Sequence, residues 1–275
     1  MLIKLGHSPD PDDAFMFWAI AAGAVDTRGF QFEQVLQDIQ RLNEWALEGR
    51  LEVSALSLHS YPFVQDRYVI LPHGASIGSG YGPIVVARDP LTKDALRKAH
   101  IAVPGLMTTA FLVLRLYLGD FDYHVVPFDR ILEEVVLGRA DAGLVIHEGQ
   151  LTYDQHGLEA VVDLGEWWLL ETGLPLPLGI NVARRDLGDE VLRELSAVLR
   201  ESIAAGLASR PEALDYALQF GRGLDQALAD RFVGMYVNEL TEDYGDEGRE
   251  AVAELLKRGE QAGAFDSPVR VEFVA

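Results

Sequence analysis

The sequence contains no cysteine among its 275 residues, and its basic residues are few. The lack of cysteine excludes disulfides, thiolate nucleophiles, cysteine-bound zinc and iron–sulfur clusters. Lys and Arg together number 23 against 43 Asp and Glu, so the formal net charge is −20. A field of that sign repels nucleic-acid backbones and anionic membrane surfaces. We therefore expect neither among the partners, whereas a small anion can still bind where a local site inverts the field.

Long apolar runs are also missing. No stretch reaches the roughly 18 apolar residues of a membrane-spanning helix. Residues 1–5 lead directly into a polar, proline-containing segment, so the basic end and apolar stretch of a secretory signal are not seen. Hydrophobic residues make up 49% and charged residues 24%, which is typical of a globular protein. If the chain is complete, we expect it to be cytoplasmic.

Short apolar stretches alternate with longer amphipathic ones over the first two thirds of the sequence. This alternation predicts strands and helices that follow one another, an α/β class with mostly parallel sheets. From about residue 190 onward the pattern is almost wholly helical.

Two internal similarities suggest that the α/β unit occurs twice. Residues 49–53 are similar to residues 138–142, and residues 84–89 are similar to residues 180–186. Each member of the first pair follows an acidic helical pattern and opens an apolar strand. The similarities predict two related α/β units.

The predicted organisation is a pair of lobes with a ligand cleft between them. Residues 1–86 and 179–275 are expected to form the first lobe, and residues 87–178 the second. The chain would then cross between the lobes near residues 84–88 and again near residues 180–184, and the late helices would return to the first lobe.

Ligands in open parallel sheets bind beyond the carboxyl ends of the strands. Five predicted strand ends offer small residues, hydroxyl groups or backbone N–H groups. These are residues 8–13, 54–60, 74–82, 104–110 and 147–149.

Two of these ends are candidates for holding a carboxylate or phosphate. Residues 104–110 precede a predicted helix, whose exposed N–H groups and positive dipole end favour an anion. An ordinary Thr N-cap is the alternative interpretation. Residues 54–60 carry three serines and a histidine, but no Gly-x-Ser-x-Gly elbow surrounds them, so we do not predict a hydrolase nucleophile.

His147 is the leading candidate for acid–base chemistry, because it follows an apolar strand and titrates near neutrality. A buried histidine bonded to the backbone is the alternative. His7 and His59 also lie near the expected cleft and are the next candidates.

Two further motifs have mainly structural interpretations. Asp10, Asp12 and Asp13 are close together, but their spacing differs from that of a Ca²⁺ loop, and helix capping accounts for them better than a metal does. The glycine-rich residues 78–83 lack the dinucleotide-binding spacing and precede a strand. We expect a tight turn with a close backbone approach there.

Five segments, taken in order, resemble the 1,4-dihydroxy-6-naphthoate synthases of the futalosine route to menaquinone. They are residues 8–15 (SPDPDDAF), 54–57 (SALS), 80–83 (GYGP), 105–110 (GLMTTA) and 146–149 (IHEG). The resemblance covers nearly the whole chain, and a sibling family, the chorismate dehydratases of the same pathway, is the closest rival. A non-catalytic small-molecule binder or sensor of the same fold is a third possibility.

The resemblance implies a fold like that of type II periplasmic solute-binding proteins and a carbon–carbon lyase activity. The implied substrate is cyclic dehypoxanthine futalosine, a small-molecule carboxylate. The resemblance implies no cofactor and no metal. In this family the proton acceptor would be His147. The implied substrate-binding residues come from both lobes and are Ala55, Leu56, Ser57, Thr109 and Ala110. No oligomeric state is implied.

Overall fold

The computed structural model describes residues 1–220 and 225–275, which form eleven strands and twelve α-helices. The strands are β1 (Leu2–His7), β2 (Gln31–Leu36), β3 (Val53–Ser57), β4 (Tyr68–Ile70), β5 (Ser76–Gly78), β6 (Ile84–Ala87), β7 (His100–Val103), β8 (Asp122–Val125), β9 (Ala142–Val145), β10 (Glu159–Asp163) and β11 (Leu176–Arg184). The helices are α1 (Pro11–Ala21), α2 (Ile39–Glu48), α3 (Tyr61–Val64), α4 (Lys93–Leu96), α5 (Thr109–Leu118), α6 (Ile131–Val136), α7 (Leu164–Thr172), α8 (Asp189–Ala208), α9 (Arg210–Ala217), α10 (Gln226–Tyr236), α11 (Glu239–Glu242) and α12 (Gly245–Gln261). Within the described ranges, no helix has both the length and the apolar character needed to cross a membrane. The cytoplasmic location stays a prediction.

The strands form two sheets, and the predicted α/β class is confirmed. The first sheet has the order β2-β1-β3-β11-β4, with β5 also paired to β11, and the second has the order β10-β6-β9-β7-β8. Parallel pairing joins β1 to β2 and β3, and joins β7 to β8 and β9. The strands β6, β10 and β11 run antiparallel to their neighbours. The prediction of mostly parallel sheets is therefore wrong for these strands, because β6 and β11 enter their sheets from the other sheet rather than after a crossover helix.

The chain leaves the first sheet after β5, builds the second sheet from β6 to β10, and returns with β11. The boundaries expected from the sequence, after residue 86 and after residue 178, fall inside β6 and β11. The division into lobes at these positions stays a prediction.

The helices α8, α9 and α10 pack against the first sheet and α1. Ile3 of β1 and Phe15 of α1 share one core with Leu199 and Ile203 of α8 and Val233 of α10. The apolar positions of α8 recur three to four residues apart, which places them on the face that meets this core. This packing fixes the start of α1, where Asp10 is the N-cap residue and Asp12 and Asp13 lie in the first turn.

The glycine-rich turn before β6 packs directly against the start of α7. A Cβ atom added to Gly165 would lie 2.0 Å from the Tyr81 carbonyl oxygen, and one added to Gly82 would lie 2.9 Å from the Gly165 nitrogen. The close backbone approach predicted for this turn is confirmed. Crowding requires glycine at Gly82 and Gly165, whereas Gly80 of the same turn has a positive φ angle of 77°.

Gly165→Ala is expected to lower the free energy of unfolding by about 1–3 kcal/mol, because the backbone of the turn must move to admit the methyl group. Urea denaturation of both proteins measures this. Gly234→Ala is the matched control, since Gly234 lies inside α10 and its added Cβ would meet only an Arg210 side-chain nitrogen at 3.4 Å. The control should be neutral or slightly stabilising. Equal unfolding midpoints for Gly165→Ala and the wild type would contradict the packing argument.

Candidate functional site

A cavity of about 690 Å³, open mouth included, is bordered by strands of the first sheet, by turns next to strands of the second sheet, and by the ends of helices. Its walls come from the first turn of α1, the end of β3, the start of α5, the turn after β9, the middle of β11 and the end of α10. The residues predicted from sequence all lie on its wall: Ala55, Leu56, Ser57, Thr109, Ala110 and His147. None of its described lining residues is Lys or Arg. The structure thus brings the predicted residues together, while their individual roles stay predictions.

The start of α5 presents hydrogen-bond donors to the cavity. Thr108 is the N-cap, so the N–H groups of Thr109 and Ala110 belong to the first helical turn and have no acceptor within the helix. The Thr109 hydroxyl is already engaged, because it donates to the Leu178 carbonyl oxygen at 2.6 Å and accepts from the His59 N–H at 3.2 Å. A ligand oxygen at this end would therefore be held by backbone N–H groups, with the Thr109 side chain fixing α5 against β11.

Ser57 is positioned by a buried asparagine on α2. The Ser57 N–H donates to the Asn43 Oδ1 at 2.9 Å, and the Asn43 Nδ2 donates to the Ser57 Oγ at 3.0 Å. Neither contact uses the hydroxyl proton of Ser57, so that proton is available to a ligand. The side chains of Ser57 and Asn43 are held in one arrangement before any ligand enters.

His147 begins a short 3₁₀ turn after β9 and has a left-handed backbone, with a φ angle of 56°. Such a conformation is uncommon for a residue other than glycine and costs of order 1–3 kcal/mol, so the surrounding structure must maintain it. The ring nitrogen Nδ1 lies 2.9 Å from the Asp10 Oδ2, and the Asp10 side chain is only 2% exposed. The ring also packs edge-on against Phe128. These contacts fix both the position and the orientation of the imidazole.

The buried carboxylate of Asp10 controls the protonation state of His147. Burial alone would lower the pKa of His147, but the charge and hydrogen bond of Asp10, with further charges on Glu148 and Asp12, raise it to about 9. The histidine is therefore a cation at neutral pH in the unliganded protein. Its neutral form is a stronger base than an ordinary imidazole.

Sequence analysis assigned the side chain of Asp10 wrongly. It stands at the N-cap position of α1, as expected, but its side chain makes no capping hydrogen bond and pairs with His147 instead. Asp13 does bond the helix entry, because its Oδ2 accepts from the Ser8 N–H at 2.7 Å. Asp10, Asp12 and Asp13 together are more carboxylates than helix capping needs. This excess is the sequence feature that could have indicated a second role for one of them.

Asp12 and Asp13 also line the cavity. Burial, with the nearby carboxylates adding, raises the pKa of Asp12 to about 6 and the pKa of Asp13 well above its usual range. Since no Lys or Arg lines the described cavity, the negative charge is offset mainly by His147 and by protons held on these carboxyls. The described residues contain no group of three or more acidic or histidine side chains arranged to hold a metal ion.

Residues from the second half of the chain complete the wall, and sequence analysis did not identify them. With its amide oriented to satisfy its neighbours, Gln150 donates to the Gly82 carbonyl oxygen at 2.9 Å and accepts from the His147 N–H at 3.3 Å. The same amide donates to the Tyr236 hydroxyl at 2.7 Å. Burial raises the pKa of Tyr236 above its usual range, so the phenol remains protonated. Gln150 thus connects α10 to the backbone of His147.

The other two candidate histidines do not line the cavity. His7 bonds the Ser8 carbonyl oxygen and the side chain of Gln34, and burial lowers its pKa. His59 bonds the Thr108 carbonyl oxygen, and burial lowers its pKa to about 4. Both have structural partners, which leaves His147 as the histidine that faces the ligand space.

Comparisons with known proteins agree on one family. The family model described as menaquinone biosynthesis matches residues 3–261. A 1,4-dihydroxy-6-naphthoate synthase from Thermus thermophilus is 46% identical over 272 residues, 99% of each chain. A second enzyme of that name, from Streptomyces coelicolor, is 38% identical and covers 95% of this chain and 94% of its own.

Solved structures give the same fold. A crystal structure from Archaeoglobus fulgidus superposes with a TM-score of 0.91 and 46% identity, over 95% of this chain and 98% of the other. The alkanesulfonate-binding protein of Xanthomonas axonopodis pv. citri superposes with a TM-score of 0.74 at 12% identity, over 98% and 96% of the two chains. The second similarity concerns the fold alone, and it confirms the predicted fold like that of periplasmic binding proteins.

Proposed function

The chain belongs to the menaquinone biosynthesis family, and we propose that it converts cyclic dehypoxanthine futalosine to 1,4-dihydroxy-6-naphthoate as a lyase. The family relatives named above are enzymes of that name. The observation that carries the proposal is the pairing of His147 with buried Asp10 on the wall of the cavity. A binding protein needs no such base, whereas an enzyme that removes a proton does.

The proposed chemical step is proton abstraction by His147. A base that removes a proton next to a carbonyl group can start the elimination that separates the ring from the sugar-derived part. Asp10 accepts from Nδ1–H and so leaves Nε2 as the acceptor, which is the tautomer the step requires. Aromatisation of the naphthoate ring supplies driving force. General-base catalysis of this kind contributes about 10²–10⁴-fold.

Product analysis tests the proposal against its two alternatives. The purified protein would be incubated separately with cyclic dehypoxanthine futalosine and with chorismate, and the products identified by mass. Release of 1,4-dihydroxy-6-naphthoate from the first compound supports the proposal. Conversion of chorismate instead would identify the sibling dehydratase, and binding without conversion of either compound would identify a sensor.

Ser57→Ala is expected to weaken binding of the substrate and of 1,4-dihydroxy-6-naphthoate roughly tenfold, since it removes a preorganised donor worth about 1.4 kcal/mol. Titration calorimetry measures both affinities. Ser54→Ala is the matched control, because Ser54 lies on the same strand but does not line the cavity, and its hydroxyl donates to the Ala55 carbonyl oxygen. Unchanged affinity in Ser57→Ala would remove Ser57 from the anchoring site.

A further inference from the structure

We name two groups of cavity-lining residues by their hydrogen-bonding character, the donor-rich end and the acceptor-rich end. The donor-rich end is the start of α5, with the N–H groups of Thr109 and Ala110 and the hydroxyl of Ser57. The acceptor-rich end is formed by Asp12 of α1, Ser76 of β5 and Asn181 of β11. These three residues come from different elements and all line the cavity.

Asn181 carries an unsatisfied acceptor at this end. Its side chain is buried, with 2% of the residue exposed, and its Nδ2 donates to the Gly74 carbonyl oxygen at 3.0 Å. That bond fixes the amide orientation. Among the described residues, no donor is found for the Asn181 Oδ1. A buried amide oxygen without a donor is unfavourable, and such groups in native structures are generally satisfied by protein, water or ligand.

Asp12 adds further acceptors beside it. The Asp12 Oδ2 accepts from the Ser76 hydroxyl at 3.3 Å, which is long for a hydrogen bond between two oxygens. Since burial and nearby carboxylates raise the pKa of Asp12 only to about 6, most of it is ionised at neutral pH and acts as an acceptor. A second carboxylate or a phosphate would be repelled there, whereas a group that brings O–H donors would be favoured.

We propose that Asp12, Ser76 and Asn181 form a subsite for the hydroxyl groups of the sugar-derived part of the substrate, opposite the carboxylate anchor at α5. This inference rests on the proposed function for the identity of the substrate. It fixes the direction in which the substrate lies in the cavity, with the ring and its carboxylate toward α5. It also makes Asp12 and Asn181 specificity-determining residues rather than general features of the wall.

A comparison of two ligands tests the subsite. The substrate carries both a carboxylate and a polyol part, whereas 1,4-dihydroxy-6-naphthoate carries the carboxylate and lacks the polyol part. We expect Asp12→Asn and Asn181→Leu to weaken binding of the substrate by about tenfold or more while affinity for the naphthoate stays within twofold. Ser57→Ala should weaken both ligands equally. Asp89→Asn, an exposed substitution outside the cavity wall, is the charge control.

Two results would contradict the proposed subsite. Equal weakening of both ligands would mean that these residues shape the cavity as a whole, and unchanged binding of both would mean that they do not contact the substrate. The effect on folding is checked by the unfolding midpoint of each variant. If a variant does not fold, Ser76→Ala provides the same comparison with a smaller change.

The subsite can be separated from the proposed function by a simple probe. Addition of D-ribose to the wild-type protein should shift the side-chain amide resonances of Asn181 in a ¹⁵N NMR spectrum, and Asp12→Asn should abolish that shift. If the wild type failed to convert the substrate but showed this response, the proposed function would be wrong and the subsite retained. If ammonium shifted the Asn181 resonances and ribose did not, the acceptors of Asp12 and Asn181 would bind a cation, and the proposal of a sugar subsite would be wrong.

Discussion

Replacing His147 with Asn is expected to lower kcat by about 10²–10⁴-fold while the dissociation constant of the substrate changes only a few-fold. The amide cannot accept a proton as a base, so the chemical step loses its catalyst. Asn is the appropriate replacement, because it tolerates the left-handed backbone that the structure requires at this position. Single-turnover kinetics and calorimetric binding on the same preparation separate the two effects.

A different outcome is expected if His147 only donates a hydrogen bond to the ligand. His147→Asn would then lose affinity, keep a substantial rate at saturating substrate, and retain the acid limb of the pH profile. His59→Asn serves as the comparison, because His59 is a buried histidine that does not line the cavity and bonds the Thr108 carbonyl oxygen. A saturating rate near that of the wild type would end the claim that His147 is the base.

Asp10→Asn is expected to produce a loss of similar size for a different reason. An Asn amide at this position can donate to Nδ1, which would leave the proton on Nε2 and remove the acceptor that the reaction needs. We therefore expect kcat to fall by about 10²-fold or more. Asp10→Asn also removes the negative charge that keeps the pKa of His147 high.

The pH dependence distinguishes this positioning role from simple damage to the fold. In the wild type the pKa of His147 is raised to about 9, so the neutral base is scarce at pH 7 and kcat/KM should rise as the pH increases toward 9. In Asp10→Asn burial still lowers the pKa of His147 and only the charges of Glu148 and Asp12 still raise it, so the acid limb should move down from about 9 toward the ordinary value of about 6.5. Asp13→Asn is the matched control, since Asp13 bonds the Ser8 N–H rather than His147. An acid limb that stays in place in Asp10→Asn would show that Asp10 does not set the basicity of His147.

Local features of this protein could be predicted from sequence because they depend on neighbouring residues. The apolar spacing after residue 108 predicts a helix from 109 to 118, and α5 has those bounds. The strand before His147 and the turn that follows it were predictable for the same reason, since an apolar run ends there before Glu148 and Gly149. Both features place their residues at the cavity.

Contacts between distant segments could not be predicted in this way. Asp10 and His147 are separated by 137 positions, and nothing in the local pattern around either residue indicates the other. Tyr236 reaches the cavity only because α10 packs back on the first sheet. Asn181 lies in a segment predicted to cross between the lobes, but the acceptor on its side chain that has no donor is defined by the position of Gly74 on a neighbouring segment. The sequence therefore indicated His147 as the candidate base, and the tertiary structure was needed to find the groups that shift its pKa.

The most direct test of the central claim is an NMR titration of the His147 ring in the wild-type protein, set beside the pH dependence of kcat/KM. If Asp10 makes His147 the base, the ring will lose its proton well above the ordinary 6.5, near pH 9, and the activity will rise over the same pH interval. The neutral ring will carry its proton on Nδ1, toward Asp10. A ring that titrates near 6.5, or an activity that rises in a different interval from the ring, would contradict the account.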